Sequence, residues 1–76
     1  MKTIQVLGSG CSNCKTTAAL IQSIAAARGV PITLEKVEDL QRIVSFGIMA
    51  TPGVVVDGQV VHAGGVPSKE KIAGWL

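Results

Sequence analysis

Cys11-Ser12-Asn13-Cys14 places two cysteines three residues apart, and they are the only two in this chain of 76 residues. Residues three apart on a helical turn share a face, which brings their Cα atoms into the roughly 4.4–6.8 Å range that a disulfide requires. A bridge across one turn can open and close with little backbone movement. A thiol at a helix start also meets unpaired N–H groups and the positive end of the helix dipole, both of which stabilise a thiolate. Cys11 stands at that position and reads as the nucleophile. Cys14, one turn further in, reads as the shielded thiol that resolves a mixed disulfide formed at Cys11. Lys15 comes next, either tuning the thiolate or lying in solvent as an ordinary lysine.

Two other chemistries draw on the same residues. A thiolate pair at this spacing is half of a zinc site or the whole of a two-coordinate Cu(I) site. Zinc needs two more ligands, and the remaining strong candidate is His62, a lone histidine on a strand that reads as a solvated or satisfied bystander. A structural disulfide is the third possibility, but so short a loop restricts the unfolded chain little and stabilises weakly. Thiol-disulfide exchange therefore leads, with a metal-binding or metallochaperone module on the same two thiolates as the alternative.

A C-x-x-C placed this way needs a strand that ends before it and a helix that starts with it. Ile4, Gln5, Val6 and Leu7 make the short apolar run, and Gly8-Ser9-Gly10 the tight connection. Beyond it, Cys14, Thr17, Ala18, Ile21, Ile24 and Ala25 recur at helical spacing, with Lys15, Gln22 and Ser23 off that face. Gly29, after Arg28, is the stop signal. Pro31 opens a second strand, Ile32–Val37, which puts Ile32, Leu34 and Lys36 on one face and Thr33, Glu35 and Val37 on the other. Half of it is expected in solvent, as at a sheet edge. Asp39 can cap a short helix on which Leu40, Ile43 and Val44 share a face, with Gly47 ending it. Strand, helix, strand in this order forms a βαβ unit with parallel strands.

The second half opens at Thr51-Pro52-Gly53. Val54, Val55 and Val56 lead through Asp57-Gly58 into Gln59, Val60, Val61, His62 and Ala63, a hairpin whose two-residue turn takes positive φ at both central positions. After Gly64-Gly65, Ser68 is placed to cap a last helix that turns Ile72, Trp75 and Leu76 inward. Met49 reads as core. With no repeat, linker or low-complexity segment, residues 1–76 read as one domain.

Hydrophobic residues are 47% of the chain and aromatics 3%, so the core must be built from Val, Ile, Leu and Ala. Seven basic and five acidic residues are scattered without a run of one sign, which argues against a nucleic-acid partner. The longest apolar stretch, residues 18–34, is broken by Gln22, Ser23, Arg28, Gly29 and Pro31, which argues against a membrane span. The N-terminal apolar run is too short for an export signal, so a cytoplasmic location is expected.

The strand–Cys11-Ser12-Asn13-Cys14–helix order, Thr51-Pro52 before a valine strand, and Gly64-Gly65-Val66-Pro67-Ser68 before the last helix resemble the small, glutaredoxin-sized redox-active disulfide proteins of the thioredoxin superfamily. The resemblance runs over residues 2–76. The first twenty or so residues alone also resemble a copper-chaperone type of heavy-metal-associated domain, but that pattern has no proline before the third strand and ends on a strand. The thioredoxin-like resemblance implies an α/β fold, with a four-stranded mixed sheet in order 2-1-3-4 flanked by three helices. It implies a cis peptide at Thr51-Pro52, with Pro52 facing the redox cysteines and Thr51 helping to shape a substrate groove beside Ser12 and Asn13. It also implies a monomeric enzyme without an organic cofactor, acting on protein disulfides with a disulfide reductase or glutathione as electron donor. Gly64-Gly65 resembles the glycine pair near which glutaredoxins hold a glutathione carboxylate, or is simply a turn that needs unrestricted φ. Gly10 before Cys11, where typical thioredoxins have Trp, and Ser12-Asn13 between the cysteines depart from the common patterns and leave reductant and substrate open.

Overall fold

The computed structural model describes residues 2–8, 12–48 and 50–76. Its elements follow the order β1 (Lys2–Leu7), α1 (Ser12–Arg28), β2 (Ile32–Val37), α2 (Leu40–Ser45), β3 (Gly53–Val56), β4 (Gln59–Ala63) and α3 (Lys69–Trp75). The strands form one mixed sheet in the order β2-β1-β3-β4, parallel between β1 and β2 and antiparallel elsewhere. This is the thioredoxin-like arrangement that the resemblance implies.

Alternation along the strands divides the core between two sheet faces. Ile4, Val6 and Val54 point to one face, where they join Cys14, Ala18 and Ile21 of α1 and Ile72 of α3 in a buried cluster. Leu7, Val37 and Val55 point to the other and pack with Ile43 of α2. Full burial of an aliphatic side chain of this size contributes about 1.5–3 kcal/mol, which suits a core with almost no aromatic residue. Trp75 is half-buried against the first cluster.

Local signals account for most element boundaries. Asp39 caps α2 by accepting from the Gln41 amide at 3.0 Å, and Ser68 caps α3 by accepting from the Lys71 amide at 3.1 Å. Asp57 and Gly58 both take positive φ, 50° and 85°, as the two-residue hairpin turn demands.

Three details differ from the sequence reading. The first strand begins at Lys2 rather than Ile4, because Lys2 and Thr3 pair with Ile32 and Thr33 of β2. In α2 only Ile43 is buried, while Leu40 and Val44 are 69% and 62% exposed. A helix of six residues offers the sheet barely one inward position, so the shared face of Leu40 and Val44 turns to solvent. The hairpin is also irregular, since Val54 pairs with His62 but Val55 with Val60, leaving Val61 as a bulge. No described helix is long and apolar enough to cross a membrane.

Candidate functional site

Strand register aligns four chain segments at one end of the sheet. Leu7 pairs with Val37 on one side and Gly53 on the other, and Gly53 pairs with Ala63, so Val37, Leu7, Gly53 and Ala63 form a single row. Immediately beyond that row the Gly8 amide donates to the Val37 carbonyl at 3.0 Å, and the Gly64 amide donates to the Pro52 carbonyl at 2.9 Å. The Thr51–Pro52 peptide is cis, Pro52 is fully buried and Thr51 is exposed. Gly64 and Gly65 both have positive φ, 84° and 73°, a backbone that side chains disfavour and glycine adopts freely. Thr51, Pro52, Gly64 and Gly65 are thus brought together at one edge, and the turn reading of the glycine pair is met.

The next element after β1, whose Leu7 lies in that row, is α1. Ser12 and Asn13 are exposed in its first turn, and their carbonyls accept hydroxyl hydrogen bonds from Thr16 at 3.1 Å and Thr17 at 2.7 Å. Cys14 points the other way, 7% exposed, on the helix face that also carries the buried Thr17, Ala18 and Ile21. It packs in the cluster that holds Val6 and Val54, paired residues one row in from the edge. Lys15 lies in solvent. Cys11, with Ser9 and Gly10 before it, lies outside the described residues, as does Met49.

His62, read from the sequence as a bystander, makes specific contacts. It occupies the same row as Val6 and Val54 and stands beside Trp75 of α3, with ring centroids 6.2 Å apart. Its Nε2 lies 2.8 Å from the Gly65 carbonyl oxygen, and its Nδ1 lies 2.8 Å from Nζ of Lys71. The sequence signal for this was a glycine pair two residues after a strand histidine, with a lysine one turn into the next helix. Among the described residues no group of three or more His, Cys, Asp and Glu is placed to hold a metal ion.

On the opposite sheet face Glu35 accepts from Gln5 at 2.9 Å and from Arg42 at 3.0 Å, which joins β2 to β1 and to α2. The Gln5 hydrogen bond, followed by the hydrogen bond and positive charge of Arg42, holds the Glu35 carboxyl below the usual carboxylate range.

Comparison with known proteins agrees with this architecture. The family model described as the thioredoxin domain matches residues 2–76. The chain belongs to the thioredoxin family. A thioredoxin of Methanothermobacter thermautotrophicus is 35% identical over 72 residues, covering 95% of this chain and 94% of that protein. A thioredoxin of Methanocaldococcus jannaschii is 32% identical over 72 residues, covering 95% of this chain and 83% of that one. Thioredoxin-family proteins are thiol-disulfide oxidoreductases, and the thioredoxin-like sheet order with a cis-proline entering β3 is the frame on which this chain carries its cysteines.

Proposed function

We propose that this thioredoxin-family protein reduces or exchanges protein disulfides through a Cys11–Cys14 dithiol. The observation that carries the reading is the placement of Cys14, buried in the first turn of α1 in the cluster that holds Val54, two residues after the cis-Pro52. Cys14 is disulfide-bonded in this structure; once reduced, its sulfur in that setting is kept from outside substrates yet lies one turn from Cys11 in sequence, as a resolving thiol must be.

In the proposed cycle the Cys11 thiolate attacks one sulfur of a substrate disulfide. A Cys11–substrate disulfide forms and the other substrate sulfur leaves as a thiolate that takes up a proton. The Cys14 thiolate then attacks Cys11 Sγ, forming the Cys11–Cys14 disulfide and releasing the second substrate thiol. The substrate gains two electrons and two protons, and the dithiol loses them. A disulfide reductase or glutathione restores the dithiol. Ser12, Asn13, Thr51, Gly64 and Gly65 line the edge on which the substrate chain rests, with the buried Pro52 shaping it from beneath, and the protein works as a cytoplasmic monomer.

Trapping tests the division of roles. Cys14→Ser should accumulate a mixed disulfide with a protein disulfide, seen by intact mass, while Cys11→Ser should form little adduct because its remaining thiol is buried. Equal trapping by both variants would refute the assignment. Retained turnover of a glutathione-mixed disulfide by Cys14→Ser would place the cycle in the monothiol, glutaredoxin-like class. Anaerobic titration of the reduced protein with Zn²⁺ or Cu(I), with no thiol-disulfide exchange in the parallel assay, would favour the metal-binding alternative.

A further inference from the structure

We infer that His62 is a positioning residue for the substrate edge, locking the Gly64–Gly65 segment against Pro52 from behind. This rests on the reading of that edge as the substrate surface. The hydrogen-bond inventory settles the ring's role: an ammonium only donates and a carbonyl only accepts, so Lys71 Nζ donates to Nδ1 and Nε2–H donates to the Gly65 oxygen. The ring is thereby held in one tautomer and one orientation by α3, with Trp75 beside it.

The consequence is transmitted through the backbone. Gly64 and Gly65, both at positive φ and without side chains, have little of their own to hold them in place. Gly64 is tied by the hydrogen bond its amide donates to the Pro52 carbonyl, and Gly65 by the one its carbonyl accepts from His62. The bulge at Val61 makes the second tie possible. It shifts the β4 register so that His62 pairs with Val54 and faces α3, while Val61 still packs against the core on that side. A chain laid along the edge therefore meets a rigid rim, and the ordering of the rim is complete before binding. A disulfide too small to reach Gly64 gains nothing from it.

The test compares the parent, His62→Leu and His62→Gln. A glutamine amide can both donate to the Gly65 oxygen and accept from Lys71, whereas leucine can do neither. The readouts are steady-state reduction of insulin and of 5,5′-dithiobis(2-nitrobenzoate), and hydrogen exchange at the Gly64 amide. His62→Leu should raise KM for insulin about three- to tenfold, the range that one hydrogen bond spans, with kcat within about twofold. Reduction of the small disulfide should be unchanged, Gly64 exchange should quicken, and His62→Gln should restore both KM and protection. Unchanged insulin KM and Gly64 exchange in His62→Leu would overturn the inference while leaving the redox function intact. So would a loss of activity shared equally by both substrates, which marks a general loss of structure. A parent inactive on both disulfides would overturn the redox reading itself, and this inference with it.

Discussion

Replacing Gly64 by alanine should expose how tightly the site edge is built, with Gly65→Ala as its internal control. At both positions φ lies in the left-handed region, 84° and 73°, where an L side chain costs about 1–2 kcal/mol. Alanine also restricts the unfolded chain, which offsets about 0.4–1 kcal/mol of that. The net backbone effect is therefore about 1 kcal/mol at each site. The surroundings then separate them. Among the described residues, a Cβ at Gly65 meets nothing within 4 Å, whereas a Cβ at Gly64 lies 3.2 Å from Cβ of Ala50. Relieving that contact means moving the Ala50 segment or the Gly64 backbone, which carries the hydrogen bond to Pro52. Mild overpacking of this kind adds about 1 kcal/mol. For a domain of this size 1 kcal/mol shifts Tm by about 4–8 °C, so Gly65→Ala should melt about 4–8 °C below the parent and Gly64→Ala about 8–16 °C below. Thermal unfolding followed by circular dichroism measures both. Equal melting temperatures for the two variants would refute the packing step, and a Gly64→Ala protein as stable as the parent would refute the left-handed backbone.

Three further outcomes test the frame around the site. Ile72 is the one fully buried side chain of α3, so Ile72→Ala should destabilise by about 2–5 kcal/mol in a denaturant titration and loosen the helix that carries Lys71. Glu35 has a lowered folded-state pKa, so its contribution is present above the ordinary carboxylate range and disappears as pH falls through the folded value. The Tm difference between the parent and Glu35→Gln should accordingly favour the parent at neutral pH and close as the solution is acidified below the ordinary carboxylate range. Leu40 is mostly exposed, and Leu40→Ser should change stability by no more than about 0.5 kcal/mol, against a far larger loss for Ile43→Ser in the same assay.

Much of this fold was legible in the residue order because its signals are local. The helical spacing of Cys14, Thr17, Ala18, Ile21, Ile24 and Ala25 depends on residues within one or two turns of each other, and α1 buries all of these but Ile24, which is half-buried. Asp39, Ser68 and Asp57-Gly58 act on backbone groups two or three positions away, so their caps and turn could be read directly. The C-x-x-C spacing likewise suggests its proposed chemistry from four adjacent residues. The cis state of Thr51–Pro52 and the strand order came instead from resemblance to a family, since neither follows from spacing or composition.

Tertiary structure decided what depends on partners distant in the chain. Whether Leu40 and Val44 are covered depends on how a six-residue helix meets the sheet, not on their apolar character. The bulge at Val61 arises from pairing with β3, and no feature of Gln59-Val60-Val61-His62-Ala63 alone announces it. His62 became more than a lone histidine only when α3 brought Lys71 and Trp75 to it and the register set Gly65 within reach. A hydrogen bond depends on distance and angle within a few tenths of an ångström. Sequence determines which groups can donate and accept, and the packed sheet and helices determine which of them meet.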